Sequence, residues 1–368
     1  MKWDKIVIDE LSKRIVGEKK SREIIFLCAL GKLVIDAEYS SFNLLVHAGS
    51  SGGKDYVVRN VLKIFNPYSI ISRTRISPTV LNYWKPWEKG ELKPASWDEK
   101  VLYLPDVSDT ILNCEAMKLL CSDGSFITIT KDNKAVDIEI VGKPVIITTT
   151  ANSTPSQETL NRFSVVKLDE SEKQTKRIHK FRPEDYGKTA LDFIAKLRPC
   201  KVKITKTMQN KIAEIFPSNL LRERRNFTRF LDFIKAVTAF HQEKNPEYGK
   251  DSLQQVITAD WKDYDIAKDV FMNLYSGISE IPLNKQQKEI VQVMEKEKDP
   301  LSAKEILQRL GSYITIQGFR PHLDNLVNLG VFDVFSLRDV FNNAVIKYLI
   351  SEEYSQKQPI KLPNSGEI

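Results

Sequence analysis

Apolar and polar positions follow two regimes along the chain. From residue 1 to about 180, apolar runs of strand length alternate with segments whose apolar residues recur three and four apart. That alternation predicts an α/β core, a parallel sheet covered by helices. Strands are expected at 43–47, 101–104 and 144–149, with shorter ones around Ile70 and Val165. Residues 126–130 and 135–141 read as a hairpin across the polar turn Lys131-Asp132-Asn133-Lys134. A hairpin that long is an insertion rather than part of the sheet. From about 184 to 279 the pattern turns helical, with helices expected at 206–216, 227–243 and 264–275.

The next segment reads helix (286–297), helix (302–310), helix (319–329), then a strand-like run (331–335). Ser302 stands three residues before Glu305 as an N-cap, and Gly330 closes the third helix. This order predicts a winged helix-turn-helix. The polar, Pro-containing tail from Ser355 is expected to be disordered. The expected domains are therefore 1–180, 181–280 and 281–340, with a C-terminal extension at 341–368.

Composition narrows the class. The chain has 368 residues, 42% hydrophobic and 28% charged, which fits a globular protein of two or three domains. No apolar run is long enough to cross a bilayer, and residues 1–10 lack the apolar core of a signal peptide. The expectation is a cytoplasmic protein without a membrane partner. Cys28, Cys114, Cys121 and Cys200 form no CxxC and the four histidines are scattered, so buried thiols and surface histidines account for them better than a zinc site. A formal net charge of +7 is compatible with a polyanionic partner.

The candidate chemistry starts at residues 48–55, AGSSGGKD, where the apolar run 42–46 hands over to the amphipathic segment 56–65. Glycines there would let backbone N–H groups turn inward on phosphates, the helix N-terminus would add positive potential, and Lys54 would reach the outer phosphates. The expected nucleotide-binding set is Gly49, Ser50, Ser51, Gly52, Gly53, Lys54, Asp55 and Tyr56. The match to GxxxxGK[ST] is imperfect, with Ala48 at the first Gly and Asp55 at the Ser/Thr. Glycine-rich strand-to-helix turns also occur for structural reasons alone. Strand 101–104 runs into Pro105 and Asp106, which reads either as the acid that holds Mg2+ or as an exposed turn acid; Asp109 is a possible helper. Asn152 closes the strand after Thr148-Thr149-Thr150 and could position water. Arg162, ahead of the strand-like 164–168 and Asp169-Glu170-Ser171, is either a surface charge or an arginine finger for a neighbouring subunit.

In their joint order these pieces resemble the AAA+ ATPases and, among them, the MCM-like replicative helicases, including diverged relatives carried by mobile elements. Ile15-Val16-Gly17-Glu18 with the helix 22–30 is similar to the family's opening helix, 48–55 to Walker A, Asp106 to the Walker B acid and Asn152 to sensor 1. Arg162 falls where the family carries its arginine finger, and Arg225, at the start of helix 227–241, falls at sensor 2, with Arg224 and Arg222 as alternatives. The hairpin resembles the one that projects into the channel of a hexamer. The resemblance spans about 12–337 and implies an AAA+ P-loop core, a helical lid and a C-terminal winged helix. It implies ATP and Mg2+ as cofactors, with Asp55 and Asp106 on the metal and Lys54, Asp106, Asn152, Arg162 and Arg225 catalytic. It implies a ring-shaped homo-oligomer, hexameric in the family, acting on single-stranded or forked DNA with other replication proteins.

Lys131 and Lys134 at the hairpin tip are the expected DNA contacts, although Lys-Asp-Asn-Lys is also ordinary turn chemistry. Arg73, Arg75, Tyr83, Trp84, Lys85, Trp87 and Lys89 mix cations with aromatics that could stack bases or pack an insertion. Three other functions compete: an initiator or loader ATPase that unwinds nothing, a degenerate subunit that binds DNA or a partner through its winged helix, and a transcriptional regulator. Asp55 and the lone Asp106 favour the second.

Overall fold

The computed structural model describes residues 2–38, 40–49, 52–77, 97–121, 126–131, 134–139, 142–150, 161–218, 223–244, 255–278, 283, 285–297, 299–311, 315–338, 344–352 and 361–368. Two compact units emerge. The first draws on Met1–Ser153, Asn161–Ile278 and Ile360–Ile368, the second on Ser279–Pro359.

The first unit is built on a parallel sheet. Its strands are β1 (Leu44–His47), β2 (Ile70–Ser72), β3 (Val101–Leu104), β6 (Val145–Thr150) and β7 (Ser164–Lys167), in the order β2-β3-β6-β1-β7. All the sheet strands expected from the sequence lie in it. Every residue of β3 and β6 is buried, which is why these strands read as unbroken runs of Val, Ile, Leu, Tyr and Thr rather than alternating patterns. Between β3 and β6, β4 (Phe126–Lys131) and β5 (Lys134–Glu139) pair, among the described residues, only with each other, with Lys131 in register with Lys134 at the closed end. The hairpin is thus the expected insertion.

Helices α1 (Lys19–Leu30) and α2 (Lys54–Leu62) flank β1 in sequence, and α3 (Asp109–Leu112) and α4 (Glu115–Leu120) follow β3. After β7 come α5 (Glu172–Lys180), α6 (Lys188–Lys196), α7 (Lys206–Ile215), α8 (Glu223–Phe240) and α9 (Trp261–Ile278). These later helices share the sheet's core. Phe240 of α8 meets Trp3 and Phe26 of α1 at centroid separations of 5.3 and 6.1 Å, and Phe233 stacks on Phe42 just ahead of β1. The boundary expected near 180 therefore does not separate compact units. A parallel pair absent from the sequence reading, β8 (Cys200–Lys203) with β9 (Gln255–Thr258), lies among the helices. At four residues each, both strands are too short for a periodicity argument to single out.

Disorder does not extend through the tail. Leu362 is buried, Tyr264 Oη donates to the Pro363 carbonyl (2.9 Å), and Ser365 donates through its N–H and hydroxyl to the Asp265 carboxylate. Asn364 and Ser365 find partners on α9, while 355–360 lie outside the described residues.

The second unit contains α10 (Lys285–Met294), β10 (Leu301–Ser302), α11 (Ala303–Leu310), α12 (Ile316–Asn328), β11 (Phe332–Arg338) and β12 (Ala344–Ile350), with an antiparallel sheet ordered β10-β12-β11. Its core is Ile290, Ile306, Phe319, Leu323, Leu326 and Phe332. Ser302 and Glu305 form the reciprocal capping box that the sequence suggested. The expected boundary at 340 falls inside the β11–β12 hairpin. Among the described residues of both units, no helix is long and apolar enough to cross a membrane.

Candidate active site

All sheet strands run parallel, so their C-terminal ends share one edge. That edge gathers the turn after β1, the turn after β3 and the end of β6, where ligands of open α/β sheets bind.

The turn after β1 starts directly from the ladder, with Ala48 N–H on the Thr150 carbonyl (3.4 Å) and Gly52 N–H on the Gly49 carbonyl (2.9 Å). A Cβ at Gly52 would lie 2.8 Å from Ala48 Cβ and 3.0 Å from Gly49 O. The methyl that Ala48 adds therefore occupies the space a side chain at 52 would need. Gly53 has φ +74° and precedes α2, a left-handed conformation that a side chain would strain. Lys54 opens α2, buried along its stem, with its ammonium 3.6 Å from Asp106 Oδ1.

Asp106 itself has φ +49°, an uncommon conformation for a residue other than glycine, and its carboxylate is well exposed. Its N–H donates to Thr149 Oγ1 (2.8 Å), and Val107 N–H to the Thr149 carbonyl (3.1 Å). Thr149 Oγ1 in turn donates to Asp55 Oδ1 (2.5 Å), and Tyr103 Oη donates to the same oxygen (3.0 Å). Burial, reinforced by the Asp55 carboxylate, holds the Tyr103 phenol far above the usual tyrosine range, so it remains a donor. Arg59 lies over the Tyr103 ring, 5.5 Å from its centroid. On the other side of the loop, the Glu170 carboxylate accepts the Gly49 N–H. The Tyr56 hydroxyl turns away to the Arg14 carbonyl (2.9 Å).

The structure thus brings Lys54, Asp55 and Asp106 together with Gly49, Gly52 and Gly53. Ser50, Ser51 and Asn152 lie outside the described residues, as do Arg222 and the aromatic segment holding Tyr83, Trp84, Lys85, Trp87 and Lys89. Arg162 and Arg225 are placed elsewhere. Arg162 precedes β7, whose Ser164 N–H bonds the Asn43 carbonyl at the N-terminal edge of the sheet. Arg225 Nη1 donates to the Asn161 carbonyl (3.0 Å), next to Arg162. These two arginines share the edge opposite Lys54. Lys134 is exposed.

Sequence reasoning missed Tyr103, Thr149 and Glu170. The signal was Asp55 itself: a carboxylate where a hydroxyl belongs needs hydrogen-bond donors, and the neighbouring strand ends supply them. The donor set suits a hard dication. Mg2+ is commonly held by one or two carboxylates plus substrate phosphate oxygens, and Asp55 and Asp106 are joined through Thr149.

A lysine entering a helix from a glycine turn, answered by an acid two strands away on one edge of a parallel sheet, defines the class of P-loop nucleotide-binding domains. Within that class, the model of the MTBMA_p00010 P-loop domain family matches residues 4–214, more than half of the chain, and the chain belongs to this family. No curated protein matches it.

Proposed function

We propose that this chain is an MCM-like AAA+ ATPase, working as a homo-oligomeric ring that couples ATP hydrolysis to translocation along or unwinding of DNA in the replication of a mobile element. The observation that carries this reading is the separation of two charged groups. Lys54 with Asp106 occupies one edge of the sheet, and Arg162 with Arg225 occupies the other. A site that needs all four must be completed by a neighbouring subunit.

In this reading Lys54 binds the outer phosphates, and Asp55 and Asp106 hold Mg2+. The metal, when bound, neutralises charge on the transferred phosphoryl group. Asn152 positions water, while Arg162 and Arg225 reach the neighbour's phosphates. Lys131 and Lys134, opposite each other at the hairpin's closed end, would track a DNA backbone. The helices of 181–278 take the lid role, and the second unit that of a winged helix. The test is ATP turnover with and without single-stranded DNA. Stimulation by DNA, abolished in Lys54→Ala and Arg162→Ala, supports the motor; turnover no greater than that of Lys54→Ala removes it.

A catalytically degenerate subunit is the second reading. It is favoured by the two carboxylates beside the loop, Asp55 in the helix and Glu170 on the Gly49 N–H.

A further inference from the structure

The residue after Lys54 is an aspartate, and its surroundings are built for one. A serine or threonine there would offer a metal a neutral hydroxyl. Asp55 offers a full negative charge, in the first helical turn beside the residue that would bind phosphate. Left alone, that charge opposes a nucleotide. The structure does not leave it alone. Two hydroxyls, from β3 and β6, both donate to Oδ1, at 3.0 Å from Tyr103 and 2.5 Å from Thr149. Among the described residues no hydrogen bond goes to Oδ2. One oxygen is saturated and the other is left with its lone pairs, which fixes the direction in which the carboxylate can ligate. Thr149 also holds the Asp106 N–H through the same Oγ1, so one hydroxyl sets the positions of both acids. Tyr103 is 1% exposed, beneath Arg59, which locks its ring.

We infer that Tyr103 and Thr149 are positioning residues that aim Asp55 Oδ2 as an anionic metal ligand, and that they make nucleotide binding at this loop depend on a divalent cation. The inference rests on the nucleotide reading above. Without a cation, the Asp55 carboxylate and bound phosphates would repel each other; a bound cation would offset that repulsion. Because coupling between two ligands is reciprocal, the factor by which Mg2+ raises nucleotide affinity is also the factor by which nucleotide raises Mg2+ affinity.

The experiment is calorimetric titration of the purified full chain with ATP, in Mg2+ and in EDTA. Wild type is expected to bind ATP on the order of 1,000-fold more tightly with Mg2+, the scale of one charge pair near a surface. The isosteric Asp55→Asn should bind better in EDTA and lose most of the Mg2+ gain. Tyr103→Phe removes only a hydroxyl. It should cut the Mg2+ gain by about tenfold, the scale of one charge-assisted hydrogen bond. Thr149→Val should cut it at least as far, and Thr149→Ser should restore it. A merely structural role for the hydroxyls would lower affinity equally in both buffers. Equal Mg2+ gains in wild type, Asp55→Asn and Tyr103→Phe would overturn the inference while leaving the nucleotide reading intact. ATP binding by none of these proteins in either buffer would overturn the nucleotide reading and the inference with it.

Discussion

Replacing Arg162 by alanine should silence ATP turnover in a subunit whose own Lys54 is untouched, and mixing that variant with Lys54→Ala should bring turnover back. The geometry sets the expectation. β1 and β7 pair in parallel from Leu44 with Ser164 to His47 with Lys167, so Arg162 enters at the start of the shared ladder and the glycine turn leaves at its end. The paired ladder between them spans about 10 Å along the strands. In a head-to-tail ring each subunit presents both edges, one to each neighbour. An arginine supplied in trans is worth roughly 10³ to 10⁵ in turnover, so each single variant should fall to background. In an equimolar random mixture, an interface works when an Arg162→Ala subunit supplies lysine and a Lys54→Ala neighbour supplies arginine. About one interface in four meets that condition, giving about a quarter of wild-type turnover if sites act independently. Phosphate release at saturating ATP, measured for each variant alone and for the co-assembled mixture, checks this. Full turnover by Arg162→Ala alone, or a mixture no more active than its parts, would refute the reasoning.

Other outcomes follow from packing and charge. Gly52→Ala places a methyl 2.8 Å from Ala48 Cβ and should cost about 1–3 kcal/mol in urea unfolding; the double variant Ala48→Gly/Gly52→Ala should recover part of it, since the Gly49 carbonyl at 3.0 Å stays in place, and strict additivity would count against the exchange of methyl for space. Leu362→Ala, at a buried tail position, should lower stability by about 2 kcal/mol, and an unchanged thermal midpoint would mean the tail does not dock in solution. Burial pushes the Lys32 ammonium down to about 8, below its ordinary range, so the folded state binds fewer protons than the unfolded state between pH 8 and the usual lysine value. Relative to Lys32→Met, wild type should therefore gain stability with pH across that window, as read from the difference between their urea midpoints at pH 7.5 and 9.5, while the buried thiols of Cys28, Cys121 and Cys200, pushed up to about 12, act with the opposite sign in both proteins.

What the sequence disclosed was local. β1, β3 and β6 are buried on both faces, so their apolar runs announced the sheet, and the glycine turn was visible because its strand and helix are contiguous with it. The partners of Asp55 were not visible, since Tyr103 sits 48 residues away in a strand where any tyrosine reads as core. The docked tail was hidden for the same reason: Ser365 and its acceptor Asp265 are 100 residues apart. The edges occupied by Arg162 and Arg225 followed only once strand order and direction were known, because residue type carries no information about which end of a sheet a turn caps.

Residues 361–368 pack on α9, yet the second unit intervenes between that helix and these residues along the chain. During synthesis, the first unit must therefore wait, with part of the α9 surface uncovered, while the whole second unit emerges from the ribosome. The second unit has its own core and can fold in that interval. The packing of residues 361–368 onto α9 is thus added after the second unit is made, which orders maturation.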